Sequence, residues 1–121
     1  MNIGSYTGLP YNFRTRNCWH HVRNVRGDAG IQTPEFDVLS PRDIEKAFVD
    51  GHAAPKGLIQ AFLPQNFDVV LMGQRTGGRI VWHAGVYYDG FVSHCALYAR
   101  QVKLESLFDL RQQFQEIEFW R

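Results

Sequence analysis

One cysteine and two histidines carry the chemistry that this sequence could perform. Cys18 follows Asn17, a good N-cap residue, so its sulfur is expected at the first position of a helix, over the positive end of the helix dipole. Arg14, Arg16, Arg23 and Arg26 flank it with no acidic residue before Asp28, a positive field expected to favour the thiolate. His83 and His94 stand on either side of Asp89-Gly90, one of the strongest two-residue hairpin signals. With those two residues as the turn, Tyr88 pairs with Phe91 and Gly85 faces His94. His83, two residues from Gly85, then shares a sheet face with His94 as a diagonal neighbour, roughly 7–8 Å away between backbones. A slip of one residue would part them. A thiol, an imidazole that takes its proton and a polar group that holds the imidazole make up the nucleophile, base and orienter of acyl transfer. The helix carrying Cys18 is expected to pack on the face that bears the histidines.

The elements that must position these groups are legible as patterns. Residues 1–16, with Gly4, Gly8 and Pro10, read as an irregular arm wrapped on the domain. Trp19, Val22 and Val25 recur at helical spacing and Gly27 is a stop signal, which predicts a helix over residues 18–26. Ser40, Pro41 and Asp43 announce a second helix, with Ile44, Ala47 and Phe48 as its apolar stripe up to Gly51. The texture then turns to β. Strands are predicted over Phe67 to Met72, Arg79 to Tyr88 and Phe91 to about Tyr98. Leu104, Leu107, Phe108 and Leu110 suggest a last helix from Leu104 to Gln113, before a terminal strand at Ile117 to Trp120. Helices first and strands later make an α+β chain, in which N-terminal helices, the nucleophile helix among them, pack on a C-terminal antiparallel sheet.

Composition sets the outer bounds. The 121 residues, 45% of them hydrophobic, suit a single domain over residues 1–121. Thirteen basic against twelve acidic residues give a net charge of +1, which argues neither for a nucleic-acid partner nor for an acidic tail, and no nucleic acid is expected as a partner. Apolar runs such as Val69 to Met72 are far shorter than the roughly 20 residues that cross a bilayer, so no membrane association is expected. The opening Met-Asn-Ile-Gly-Ser-Tyr lacks a basic segment followed by an apolar one, so the expectation is cytoplasmic synthesis without a signal peptide, with both cysteines as free thiols.

The same residues give the chain a family likeness. Gly8-Leu9-Pro10-Tyr11, Asn17-Cys18-Trp19-His20-His21-Val22-Arg23, Phe67-Asp68-Val69-Val70-Leu71-Met72, His83-Ala84-Gly85-Val86-Tyr87 and Asp89-Gly90-Phe91-Val92-Ser93-His94 occur in the order and spacing of a known set. In them the chain resembles the NlpC-type papain-like peptidases that cut bacterial cell-wall peptides, especially small versions associated with phage tails. The resemblance implies a minimal papain-like fold, with Cys18 as nucleophile, His83 as base, His94 as orienter and Tyr11 near the oxyanion. It places Asn17 and Trp19 beside the substrate. It implies a peptidoglycan stem peptide as substrate, an endopeptidase or amidase activity, no cofactor and no metal. Delivery to the cell wall would come from a phage tail, a secretion apparatus or a lysis step, leaving the protein virion-associated in the first case. The chain departs from the usual pattern at Asn17, where aspartate is common, at the bulky Trp19 and His20, in the short segment from Tyr11 to Cys18, and at Phe67 in place of a glycine.

Simpler roles compete for several of these side chains. Cys95, beside His94 on the other face of its strand, reads as packing. His20 and His21 follow Cys18 closely enough to suggest a metal, but no compact ligand pair accompanies them, and they read as helix surface or cleft wall. His52 carries no signal, and Trp19 reads more readily as a core aromatic. Two other functions stay open: a structural tail-assembly protein that keeps the fold without catalysis, and a toxin-like amidase or acyltransferase.

Overall fold

The computed structural model of the chain describes residues 2–34 and 57–121. The helix expected around Ser40 to Gly51, and His52, lie outside the described residues. The protein is α+β, with a six-stranded antiparallel sheet and two α-helices among the described residues. The strands are β1 (Gln60–Ala61), β2 (Val69–Thr76), β3 (Arg79–Tyr88), β4 (Phe91–Ala96), β5 (Gln101–Ser106) and β6 (Glu116–Trp120), in the order β1-β6-β2-β3-β4-β5. The helices are α1 (Cys18–Asp28) and α2 (Leu107–Gln113). No helix among the described residues is long and apolar enough to cross a membrane.

The sheet is covered on both faces, which explains the unbroken apolar run in its central strand. Val69 and Leu71 pack with Cys18, Trp19, Val22 and Val25 of α1, while Val70 and Met72 pack with Leu110 of α2 and Phe119. All four β2 residues are fully buried, and a strand buried on both sides has no polar face to alternate with. On β3 the same alternation turns Trp82, Ala84 and Val86 toward α1 and Tyr87 toward α2.

The terminal arm carries a short 3-10 turn, Ile3–Tyr6, and Ile3 joins the α1 core. Beyond it the arm is held to β5. Gly8 donates to the Val102 carbonyl at 2.9 Å, Val102 donates to that of Leu9 at 2.8 Å, and Tyr11 donates to that of Arg100 at 2.9 Å. These bonds fix Tyr11 beside the start of β5.

Several boundaries differ from the sequence reading: β2 is Val69–Thr76 rather than Phe67 to Met72, β4 stops at Ala96 rather than near Tyr98, and β6 begins at Glu116. Helix α1 runs through Gly27 to Asp28, and the backbone turns at Gly30, whose φ of 82° suits a residue without a Cβ. The segment expected to begin a helix at Leu104 is instead strand β5, pairing Phe91↔Ser106 through Ala96↔Gln101. Helix α2 starts only after Ser106, whose hydroxyl caps it by accepting from the Asp109 amide at 3.1 Å.

The hairpin register is the one expected from Asp89-Gly90: Tyr88↔Phe91, Tyr87↔Val92 and Val86↔Ser93. Both turn residues have positive φ, 47° and 87°, as this turn demands. The β3–β4 ladder ends at Val86↔Ser93, although β4 continues pairing with β5 as far as Ala96. At that end Gly85 lets the strands approach. A Cβ there would lie 2.6 Å from Val92 Cγ1, 3.0 Å from His94 Cβ and 3.0 Å from the Ser93 carbonyl oxygen. Gly85→Ala is therefore expected to cost about 1–3 kcal/mol, as forced overpacking does, and to push His94 away from His83. Thermal unfolding checks the first effect. Ring NMR signals of the two histidines check the second.

Candidate active site

Past the end of the ladder, β3 and β4 form two walls of a cavity of about 380 Å³. Val81, Trp82 and His83 line one side, Cys95 and Ala96 another, and Leu97, Tyr98, Phe114, Gln74, Tyr11 and Cys18 complete it. Among the described lining residues none is Asp, Glu, Lys or Arg.

Asn17 positions Cys18, the candidate nucleophile. Its side-chain oxygen accepts from the His20 amide at 2.8 Å, its amide group donates to the Phe13 carbonyl at 3.1 Å, and the His20 ring accepts from the Asn17 backbone N–H at 3.3 Å. This reciprocal cap starts α1 at Cys18. Asn17 thus serves the helix and does not line the cavity, contrary to the substrate role expected of it. Trp19 also stays out of the cavity: it is buried, and its indole N–H donates to the Pro34 carbonyl at 2.6 Å.

Helix α1 covers the face of Ala84, opposite to the side on which His83 points, so the expectation that helix and histidines share a face is corrected. The open end of the ladder brings thiol and imidazole to one cavity all the same. The backbone N–H groups of Ala84, Trp19 and Cys18 are turned to the Cys18 sulfur and favour its anion. Burial outweighs them and pushes the thiol up to about 12. The low thiol pKa expected from the four arginines is therefore corrected too. Arg16 donates to the Pro10 carbonyl at 3.2 Å and lies near Cys95 rather than Cys18, Arg23 donates to the Thr33 carbonyl at 3.0 Å, and Arg26 is buried farther along α1.

His83 and His94 meet on one face just past the last paired residues, Val86↔Ser93; the expected Gly85–His94 pair is not part of the ladder. His83 Nε2 and His94 Nδ1 are 2.9 Å apart, and the rings lie edge to face at 76°. Phe114 stacks near the His83 ring at 6.5 Å between centroids. His94 is fully buried behind His83. Its second nitrogen, Nε2, is 2.7 Å from Glu105 Oε2. Burial, with His94 and His21 nearby, holds the His83 pKa well below its ordinary value. Burial also lowers that of His94, partly offset by Glu105. Both shifts favour the neutral rings, and the raised thiol pKa favours the uncharged sulfur, so the site favours a thiol and imidazole pair in which His83 can accept a proton.

Glu105 is the residue the sequence reading missed, because a helix starting at Leu104 would have directed it elsewhere. In β5, Lys103 pairs with His94 and Glu105 lies two residues on, so it returns to the face of His94. Cys95, expected to be packing, is buried but lines the same cavity. Its thiol donates to the Arg16 carbonyl at 3.4 Å, and burial raises its pKa to about 11. His20 is in the helix cap. His21 is buried in the core, not at the surface, with Nε2 2.8 Å from Ser93 Oγ. Neither belongs to a metal-binding cluster among the described residues.

No family model and no curated protein matches the chain.

Proposed function

We propose that the protein is a papain-like cysteine hydrolase that cuts an amide bond in the stem peptides of peptidoglycan. The observation that carries this reading is the ordered histidine pair, 2.9 Å between ring nitrogens, whose first ring shares a cavity with Cys18 at the start of a helix. His83 takes the Cys18 proton as sulfur attacks the carbonyl carbon, and the N–H groups at the head of α1, with Tyr11, stabilise the oxyanion. Collapse breaks the C–N bond, His83 returns the proton to the leaving amine, and a thioester remains on Cys18. Water, deprotonated by His83, then releases the acid and restores the thiol. None of these steps calls on a metal or an organic cofactor. The choice of peptidoglycan rests on the sequence resemblance, as does delivery by a phage tail or secretion apparatus.

The non-catalytic tail-assembly reading draws support from one observation, the buried Cys18 thiol at about 12. Purified cell-wall fragments distinguish the two. The hydrolase releases new amino groups from them at a rate proportional to protein, and the assembly protein releases none while folded and reduced.

A further inference from the structure

We propose that Glu105 is a positioning residue, which sets the hydrogen on His94 and through it the tautomer of His83; this rests on the hydrolase reading above. A carboxylate offers only acceptors, so the 2.7 Å contact requires His94 to donate from Nε2. A neutral imidazole carries one N–H, which leaves His94 Nδ1 as an acceptor. The 2.9 Å contact then requires His83 to donate from Nε2. His83 Nδ1 is left without a hydrogen, as a base needs it to be when it must take the thiol proton.

The reverse arrangement is the one Glu105 prevents. With hydrogen on His94 Nδ1, His83 Nε2 becomes the acceptor, Nδ1 carries the hydrogen and the base is lost. Placement favours the role. Glu105 is mostly covered, with its side chain 20% exposed, and His94, between it and the base, is completely buried. When His83 becomes protonated, the same chain brings a negative charge to bear on it through His94. The carboxylate itself never meets the substrate.

Nitrogen-15 NMR of the imidazole rings tests the assignment without any substrate. In the native chain at pH 7 the hydrogens should sit on Nε2 of both His83 and His94. Hydrogens on Nδ1 of both would overturn the proposal. In Glu105→Ala, the Nδ1–H form of His83 should appear, kcat should fall about 100-fold with KM unchanged, and added formate should restore part of the rate. Unchanged ring tautomers in a folded Glu105→Ala would also overturn it. A native chain that cuts no wall fragment defeats the hydrolase reading alone, because the ring spectra still report on Glu105.

Discussion

Replacing Cys18 with alanine is expected to lower the rate of wall-peptide cleavage by about 10⁴-fold or more, the scale on which covalent acyl-transfer enzymes depend on their nucleophile. The loss should fall on kcat, because the thiol forms a bond with the substrate and contributes little to holding it. The fold should survive. Cys18 belongs to the α1 core, but its helix is already capped by Asn17 and His20, and alanine is a better helix former than cysteine. Measuring turnover and thermal unfolding on the same preparation separates loss of chemistry from loss of structure. Cys95→Ala is the matched control. It removes the other thiol of the cavity and should leave at least a tenth of the native rate.

Acid should act on activity and stability at different points. His83, the proposed base, has its pKa held well below 6.5 by burial and by His94 and His21, so it stays unprotonated as the pH falls through 6.5. The acid limb of kcat/KM is expected below that value, at a pH where an ordinary histidine base would already be lost. Stability should decline sooner. His21 is buried against Ser93, and burial, with His94 and Arg16 nearby, lowers its pKa to about 4. In the unfolded chain it titrates near 6.5. Between these values the unfolded state binds more protons, so the stability present above pH 6.5 is lost as the pH falls toward 4. At about 1.4 kcal/mol per pH unit, His21 alone accounts for about 3 kcal/mol, and His83 and His94 act in the same direction. Thermal melts from pH 7 to 4 check this. A midpoint independent of pH would contradict the buried neutral histidines.

Where local rules govern, the sequence is a sufficient guide. Asn17 announces the start of α1, and Asp89-Gly90 determines the hairpin register as far as Val86↔Ser93, which leaves His83 and His94 on one face beyond it. Both depend on residues close in the chain. Long-range burial is beyond its reach. The arginines beside Cys18 in sequence suggest a low thiol pKa, yet burial under the sheet dominates, and no local pattern reports how deeply a sulfur lies. Glu105 is hidden by two overlapping periods. Leu104, Leu107 and Leu110 keep helical spacing, while Val102 and Leu104 alternate as a strand, and pairing with β4 decides for the strand as far as Ser106. The shared cavity depends on the β3–β4 ladder stopping at Val86, a consequence of how the strands pack rather than of any turn signal.

The proposed catalysis depends first on the chemical identity of the nucleophile. Peptide mapping by mass spectrometry, after treatment with a vinyl sulfone whose peptide portion copies a wall stem peptide, tests it. A single adduct on Cys18, formed in the native chain and at least 100-fold more slowly in His83→Gln, a loss on the scale of general-base catalysis, is the predicted result. Labelling of Cys95 in preference to Cys18, or labelling of Cys18 at the same rate without His83, would contradict it.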